Sequence, residues 1–280
     1  MEQRDRRPRR PYTTTITDST RTPRPPPPPP RRYGEARLVN ASYPALQLYI
    51  EYLSAIPGVD PVVPSAGNGS HLLTYNVFAD WDKPKHAPGG PGLPDTEPSA
   101  LVPPPSKGAR GVPSPLIASW AFIKELRWAA QIAATLGYAD DAQAYAERAR
   151  VSGEAFVGAY FRRLKQSSAF SFADDSLTAQ AANALGLDLF GTNNSGSEAT
   201  LSPAQQQQAV TSMVSALDAA ANHSIAGIIG QAALYPVLSD FGHVGRALAA
   251  NVVCTYPSFC DEIENHNATC LLYTSDAADE

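Results

Sequence analysis

The chain has 280 residues, of which 43% are hydrophobic and 18% are charged, and its formal net charge is -5. A chain of this length forms one large domain or two small ones, and its hydrophobic content suffices for a core. The charge is uneven, because residues 1–32 hold nine Arg and three acids and so carry +6, which leaves -11 for the remainder. An acidic body lacks the basic surface that binds nucleic acid. The sequence therefore predicts no nucleic-acid partner. No run of eighteen apolar residues is present, so it predicts no transmembrane helix and no membrane partner either.

The N-terminal segment, residues 1–33, is rich in Arg, Pro and Thr and contains an unbroken run from Pro25 to Pro30. Such a segment is expected to be disordered or polyproline II. It can contact SH3 or WW domains, or it can be a tail foreign to the domain. It has no apolar core of a signal peptide. Five glycosylation sequons nevertheless leave secretion open, at Asn40, Asn68, Asn193, Asn222 and Asn267.

The three cysteines, Cys254, Cys260 and Cys270, lie near the C-terminus. Their odd number argues against a complete disulfide framework, and their spacing fits no zinc motif. No glycine loop of the phosphate-binding kind is visible. We therefore expect neither a metal nor a cofactor.

A first helix is predicted at Tyr43–Leu53, with Ser42 as its N-cap and Pro44 near its first position. Its apolar residues recur at the spacing of one helix face, at Leu46, Tyr49, Ile50 and Leu53.

An acid beside an indole, Asp80-Trp81, follows in a stretch without helical pattern. A carboxylate can accept hydrogen bonds from sugar hydroxyls while an aromatic ring covers a C–H face of the sugar. The alternative is a turn aspartate, or a helix-capping one, beside a packing tryptophan.

Beyond Pro115 the periodicity is helical, apart from a predicted polar loop at Asn193–Ser202. The predicted helices are Ser114–Gly137, Ala142 to about Lys165, 176–188, Pro203 to about Ala221, Gly227–Leu238 and Val244–Val253. No alternating segment is long enough for a useful strand. The pattern predicts an all-α protein of helix hairpins, arranged as a solenoid or as a closed α/α toroid.

Three aromatic residues at helical spacing, Trp120, Trp128 and Tyr160, are expected in the core. Asp140 and Asp141 are expected at a helix N-terminus, where they complement the helix dipole.

Several segments resemble, in the same order, the later half of the α-L-rhamnosidase catalytic domain. They are Tyr43–Leu53, Asp80–Trp81, Ser114–Pro115, Ile123–Gly137, Leu177–Gln180, His223–Gly227, Leu234–Asp240, Thr255–Phe259, Ile263–Asn265 and Asn267–Thr269. The resemblance implies that residues 34–269 form a partial (α/α)6 toroid of antiparallel helix hairpins. It also implies an inverting glycoside hydrolase that releases terminal rhamnose from glycosides.

Inversion uses two carboxyl groups about 6.5–9.5 Å apart, one as the acid and one as the base that activates water. The resemblance implies that Asp80 and Trp81 line the sugar subsite and that His223 reaches the same pocket from another loop. It implies a base near Glu264. Without the resemblance, His223 reads as a loop or capping histidine, and the acidic cluster around Glu264 reads as a solvated face.

Both ends of the chain depart from the family pattern. The family's general acid lies in a Cys-Pro-x-Arg-Glu motif, and this chain has its Arg/Pro tail there. Residues 270–280 resemble translated library-adaptor sequence, so we expect a non-native tail. Seven predicted helices against twelve in a full toroid imply that close to half of the toroid lies outside this fragment. Without the acid, we expect the fragment to lack activity.

Two other functions remain open from the residues alone. One is another α/α-toroid glycosidase, of the trehalase or glucoamylase kind. The other is a non-enzymatic helical scaffold that docks through its Pro-rich tail.

Overall fold

The chain is described by a computed structural model. The described residues are 36–55, 71–73, 80, 114–163, 170–173, 178–191 and 201–264. The predicted Pro-rich contact segment 1–33, Trp81 and the tail 270–280 lie outside them. None of the described helices is both long and apolar enough to cross a membrane.

The described elements are α-helices apart from one pair of two-residue strands. In chain order they are α1 (Ala36–Ala55), α2 (Ser114–Leu136), α3 (Ala139–Tyr160), β1 (Arg162–Arg163), β2 (Phe170–Ser171), α4 (Ala179–Phe190), α5 (Pro203–Ala219), α6 (Ile228–Asp240), α7 (Val244–Val252) and α8 (Phe259–Glu264). Each helix predicted from periodicity is present, and α8 is an addition that the sequence pattern did not predict.

The helices pack as three antiparallel hairpins, α2–α3, α4–α5 and α6–α7. Helix α4 lies between α2 and α6, and α1 packs on α2. Because successive helices alternate in direction, the N-terminal ends of α2, α4 and α6 face the same end of the array. We call this end, around Ser114, Ala179 and Ile228, the N-terminal face. The arrangement is the partial (α/α)6 toroid of an all-α protein.

Helix α4 is the centre of the core, since every residue in it is buried except Asp188. Small residues allow its neighbours to approach closely. A Cβ atom added at Gly186 would lie 2.3 Å from the ring of Phe172. Asp188 faces α2 instead, where its Oδ2 accepts hydrogen bonds from Trp120 Nε1 and Lys124 Nζ, both at 2.8 Å. These contacts fix α2 beside α4.

Helix α3 ends at Tyr160, five residues before the predicted end at Lys165. The next residue, Phe161, leaves the helix and packs on Phe172, with ring centroids 4.9 Å apart. Strand β1 then pairs antiparallel with β2 and turns the chain towards α4. Burial of an aromatic side chain therefore overrode the continuing helical pattern.

Helix α1 begins at Ala36, so the predicted N-cap at Ser42 is wrong and Pro44 lies inside the helix. Proline in a helix removes one backbone hydrogen bond, to the carbonyl four residues earlier. Pro44 and Asn40 are both exposed, so water can replace that bond. The neighbouring Tyr43 is buried, stacks on Tyr138 at 4.7 Å and donates a hydrogen bond to Asp141 at 2.8 Å. These contacts stabilise the helix despite the proline.

Two expectations for α2 and α3 have different outcomes. Trp128 is 55% exposed, so its predicted place in the core is wrong, whereas Trp120 packs against the core. Asp140 and Asp141 lie in the first turn of α3, as predicted.

Helix α5 starts with a complete capping box. Ser202 Oγ accepts a hydrogen bond from Gln205 N, and the Gln205 side chain accepts one from Ser202 N at 2.8 Å. Pro203 occupies the first helical position, as predicted. Ser202 and Gln205 together satisfy two of the N–H groups that every helix start leaves without intrahelical partners.

Candidate functional site

The connection between α5 and α6, residues 220–227, lies on the N-terminal face. It leaves α5 through two residues with positive φ, Ala221 at 51° and Asn222 at 65°. Asparagine adopts this region readily, whereas alanine does so at a cost of about 1–2 kcal/mol. Residues 223–227 are buried. Their backbone N–H and C=O groups therefore require partners within the protein.

Asp80, which precedes α2 in the sequence, supplies one of these contacts and a further one to α6. Its side chain is 3% exposed. Oδ2 accepts a hydrogen bond from Gly227 N at 2.8 Å, and Oδ1 accepts one from Gly230 N at 2.7 Å. Both N–H groups belong to the start of α6, where a negative charge is favourable. Asp80 thus caps α6 from a position 147 residues before Gly227 in the sequence, in agreement with the capping alternative.

Gly230 is the residue that makes room for this carboxylate. A Cβ atom at Gly230 would lie 2.8 Å from Asp80 Oδ2 and 2.6 Å from the Cβ atom of Ala181. The close approach of α6 to both Asp80 and α4 therefore requires glycine here.

Gln180, in the first turn of α4, binds the backbone of the connection through its side-chain amide. It is fully buried. Its Nε2 donates to His223 O at 3.0 Å, and its Oε1 accepts from Ile225 N at 2.9 Å. Both ends of one amide are used, so the backbone on either side of Ser224 is tied to α4.

His223 is also buried, at 3% exposure, and its ring joins two loops. Nδ1 lies 2.8 Å from Ala220 O. Nε2 lies 2.9 Å from Thr255 Oγ1 and 3.0 Å from Thr255 O. The ring therefore connects the α5–α6 connection to the loop that follows α7.

That second loop, Val253–Ser258, leads into α8 and contains a cis peptide bond before Pro257. A disulfide joins Cys254 to Cys260 and so links the loop to the first turn of α8. Ser258 Oγ accepts a hydrogen bond from Asp261 N at 3.0 Å. The third cysteine, Cys270, lies outside the described residues.

The acidic cluster in α8 divides between interior and solvent. Asp261 is buried, at 5% exposure, whereas Glu264 at the end of the helix is exposed. The expectation of a solvated face therefore fits Glu264 and not Asp261.

The structure thus brings two of the candidate residues, Asp80 and His223, to one buried segment. Glu264 belongs to α8, which is joined to that segment through Thr255. Trp81 follows Asp80 in the chain but is not among the described residues. The described part of the chain has no group of three His, Cys, Asp or Glu side chains placed to bind a metal ion.

A phenol completes the polar surroundings of the connection. Burial raises the pKa of Tyr235 in α6, and the hydroxyl of Ser224 offsets part of that increase. The phenol is therefore neutral, and it can donate or accept a hydrogen bond at neutral pH.

Comparison with known proteins identifies the fold. A family model described as the bacterial α-L-rhamnosidase six-hairpin glycosidase domain matches residues 30–274. The chain belongs to this family. A search of curated protein sequences finds no significant match.

Solved α-L-rhamnosidases share the fold of this six-hairpin domain at low sequence identity. The enzyme from Dictyoglumus thermophilum gives a TM-score of 0.60 at 19% identity over 83% of this chain and 21% of that chain. The Streptomyces avermitilis enzyme, solved with L-rhamnose, gives 0.57 at 21% identity over 83% and 17%. The Aspergillus terreus enzyme gives 0.50 at 16% identity over 82% and 22%. The chain therefore spans about a fifth of the length of each of these proteins.

Sequence reasoning assigned no role to Gln180 or Thr255. Both fall in segments that carry the family resemblance. The only local signal for Gln180 is a polar residue at the start of an Ala-rich helix. The signal for Thr255 is its position beside Cys254.

Proposed function

We propose that this six-hairpin domain belongs to an α-L-rhamnosidase-like inverting glycoside hydrolase that releases terminal rhamnose from glycosides. The observation that supports the proposal most is the contact of Asp80 with Gly227 and Gly230. It joins Asp80, which Trp81 follows in the sequence, to the segment that begins with His223. The contact thus brings together two segments 147 positions apart in the sequence, which in this proposal form one wall of the sugar site.

In this proposal Asp80, Trp81 and His223 form the rhamnose-binding wall. The indole covers a C–H face of the sugar. Asp80 and His223, which are buried and hydrogen-bonded within the protein, hold the wall in place behind it. Glu264 serves as the base, because its exposed carboxylate at the end of α8 can reach a water molecule. The general acid, which supplies on the order of 10²–10⁴ in rate, is expected to come from outside this chain.

Titration of the full chain with L-rhamnose, followed by tryptophan fluorescence, tests the binding wall. We expect a saturable change that is lost in W81F. The matched control is W128F, which removes an exposed tryptophan of α2. An unchanged signal in the wild-type chain, or the same change in W81F, would contradict the proposal.

Competition distinguishes rhamnose from the sugars of other α/α-toroid glycosidases. We expect trehalose and maltose, added in excess, to leave the fluorescence change caused by L-rhamnose unaltered. If trehalose or maltose displaces the signal instead, the alternative toroid glycosidase is favoured.

A further inference from the structure

Two loops of the N-terminal face are joined by one pair of side chains. They are the α5–α6 connection, which contains His223, and the loop Val253–Ser258, which contains Thr255. We propose that His223 and Thr255 form a positioning pair that fixes α8 and its carboxylates relative to the segment held by Asp80 and Gln180. The inference rests on the proposed function, because it concerns the distance between the sugar-binding wall and the base in α8.

The histidine side of the pair is rigid. Gln180 holds the carbonyl of His223 and the N–H of Ile225, so the backbone cannot shift without breaking a buried hydrogen bond. The ring itself is 3% exposed. Its position is therefore set by α4.

The ring nitrogens are both engaged by protein atoms. A carbonyl oxygen only accepts, so the 2.8 Å contact with Ala220 O requires a proton on Nδ1. In the neutral ring, Nε2 then accepts a hydrogen bond from the Thr255 hydroxyl at 2.9 Å. The Thr255 carbonyl, at 3.0 Å, accepts a bond from Nε2 only when the ring carries both protons. No ring nitrogen is left to bind a sugar in this geometry, which makes His223 a residue that acts through Thr255.

The threonine side leads directly into α8. Thr255 follows Cys254, whose disulfide partner Cys260 is the second residue of α8. Ser258 in the same loop accepts a hydrogen bond from Asp261 N. A displacement of Thr255 is therefore transmitted to α8 within a few residues.

The position of α8 matters for the chemistry that we propose. The separation of the two carboxyl groups decides whether a glycosidase accommodates a water molecule between the base and the sugar. The buried Asp261 and the exposed Glu264 both lie on α8. A pair that fixes α8 relative to the sugar-binding wall thus fixes the position of the proposed base, which is one of the two carboxyl groups.

The experiment compares T255V, which keeps the shape of the side chain but removes its hydroxyl, with T255S, which keeps the hydroxyl. Thr255 is exposed, so both variants are expected to fold. In the sugar-free full chain, the imidazole ¹⁵N shifts of His223 report the tautomer, and an H223Q variant identifies the signals. We expect a single Nδ1–H tautomer in the wild type and T255S, and a mixture in T255V.

Hydrogen exchange in the same samples separates positioning from general destabilisation. We expect T255V to raise the exchange of the α8 amides about five- to tenfold, as for the loss of one hydrogen bond. The amides of α4 should be unchanged, and T255S should behave as the wild type. Unchanged ¹⁵N shifts in T255V, or an equal rise of exchange in α4 and α8, would overturn the inference.

A rhamnose titration is the arm that tests the link to the site. We expect the affinity of T255V for L-rhamnose to fall about fivefold and that of T255S to be retained. A wild-type chain that binds no L-rhamnose would overturn the proposed function alone, because the tautomer and the exchange rates are measured without sugar. A wild-type chain that binds, with equal affinity in T255V, would overturn the positioning role.

Discussion

Helix α3 and the α5–α6 connection use polar side chains in different ways. In α3, Arg150 pairs with Glu147 at 2.7 Å and with Glu154 at 2.6 Å, all within about one turn on the surface. At the connection and the start of α6, the side chains of Asp80, Gln180 and His223 are buried, and they bond to residues between 32 and 150 positions away in sequence. Water competes with the first kind of contact. It cannot replace the second, so removing one partner leaves a buried polar group unsatisfied. The connection should therefore be sensitive to substitution and the surface of α3 tolerant.

The largest effect is expected for D80A. It leaves the N–H groups of Gly227 and Gly230 without their buried acceptor, which should lower the free energy of unfolding by about 3 kcal/mol. Urea denaturation measures the change. D80N keeps one acceptor oxygen and should fall between D80A and the wild type. A loss below about 1 kcal/mol in D80A would remove the contrast between the two regions.

Crowding at the start of α6 gives the next largest effect. In G230A the new methyl group meets Asp80 and Ala181, so we expect a loss of about 1–3 kcal/mol in unfolding free energy. The matched control is G245A in α7, where no atom lies within 4 Å of the added Cβ. That variant should be neutral or up to about 1 kcal/mol more stable, because alanine favours helix. Equal effects in the two variants would argue against the tight approach of Asp80 to α6.

A smaller, pH-dependent effect is expected between α1 and α2. Burial raises the pKa of Glu125 above its ordinary value of 4.5, and the hydroxyl of Tyr49, 3.2 Å from Oε1, offsets part of this increase. The folded state then binds more protons than the unfolded state as the pH rises above 4.5, so stability falls through that window.

E125Q removes this titration but keeps an acceptor for Tyr49. Its melting temperature should equal or slightly exceed that of the wild type at pH 7, and the difference should vanish at pH 4. Thermal melts at the two pH values measure it. A lower melting temperature for E125Q at pH 7 would show that the Glu125 carboxylate stabilises the fold.

The smallest effect is expected on the surface of α3. R150A should leave the melting temperature unchanged within error, because its partners are exposed and screened by salt. The contrast is R127A in α2. Arg127 donates a hydrogen bond to Leu189 O at 2.8 Å, and its guanidinium lies 5.6 Å from the centroid of the buried Phe190 ring, so its loss should reduce the melting temperature clearly. Equal melting temperatures for both variants would contradict the predicted difference between interior and surface contacts.

Much of the helical framework could be predicted because its causes are local. Apolar spacing located each of α1 to α7, and Pro203 marked the start of α5. The ends of the helices were predicted less well. Helix α3 stops before Phe161, because the ring of Phe161 packs on Phe172, which the helical pattern did not indicate. Pro44 misled the prediction of α1, because packing of Tyr43 against α3 outweighed the lost backbone bond.

The candidate site was predictable only as a set of residues. Asp80 was selected as an acid beside an indole and His223 through the family resemblance, but their partners were not predicted. Trp128 and Trp120 share the same periodicity, yet one is exposed and the other packs against the core. Helical spacing places a residue on a face, and the neighbouring helices decide whether that face is covered.

The sequence by itself determined an all-α chain of helix hairpins and its membership of the rhamnosidase six-hairpin family, since periodicity, turn residues and motif order are read along the chain. The tertiary structure alone decided that Asp80 caps α6, that Gln180 holds the connection, and that both ring nitrogens of His223 are engaged. The physical reason is distance along the chain. Helix periodicity acts over three to four residues, whereas these hydrogen bonds join residues 32 to 150 positions apart and exist only once the hairpins have packed.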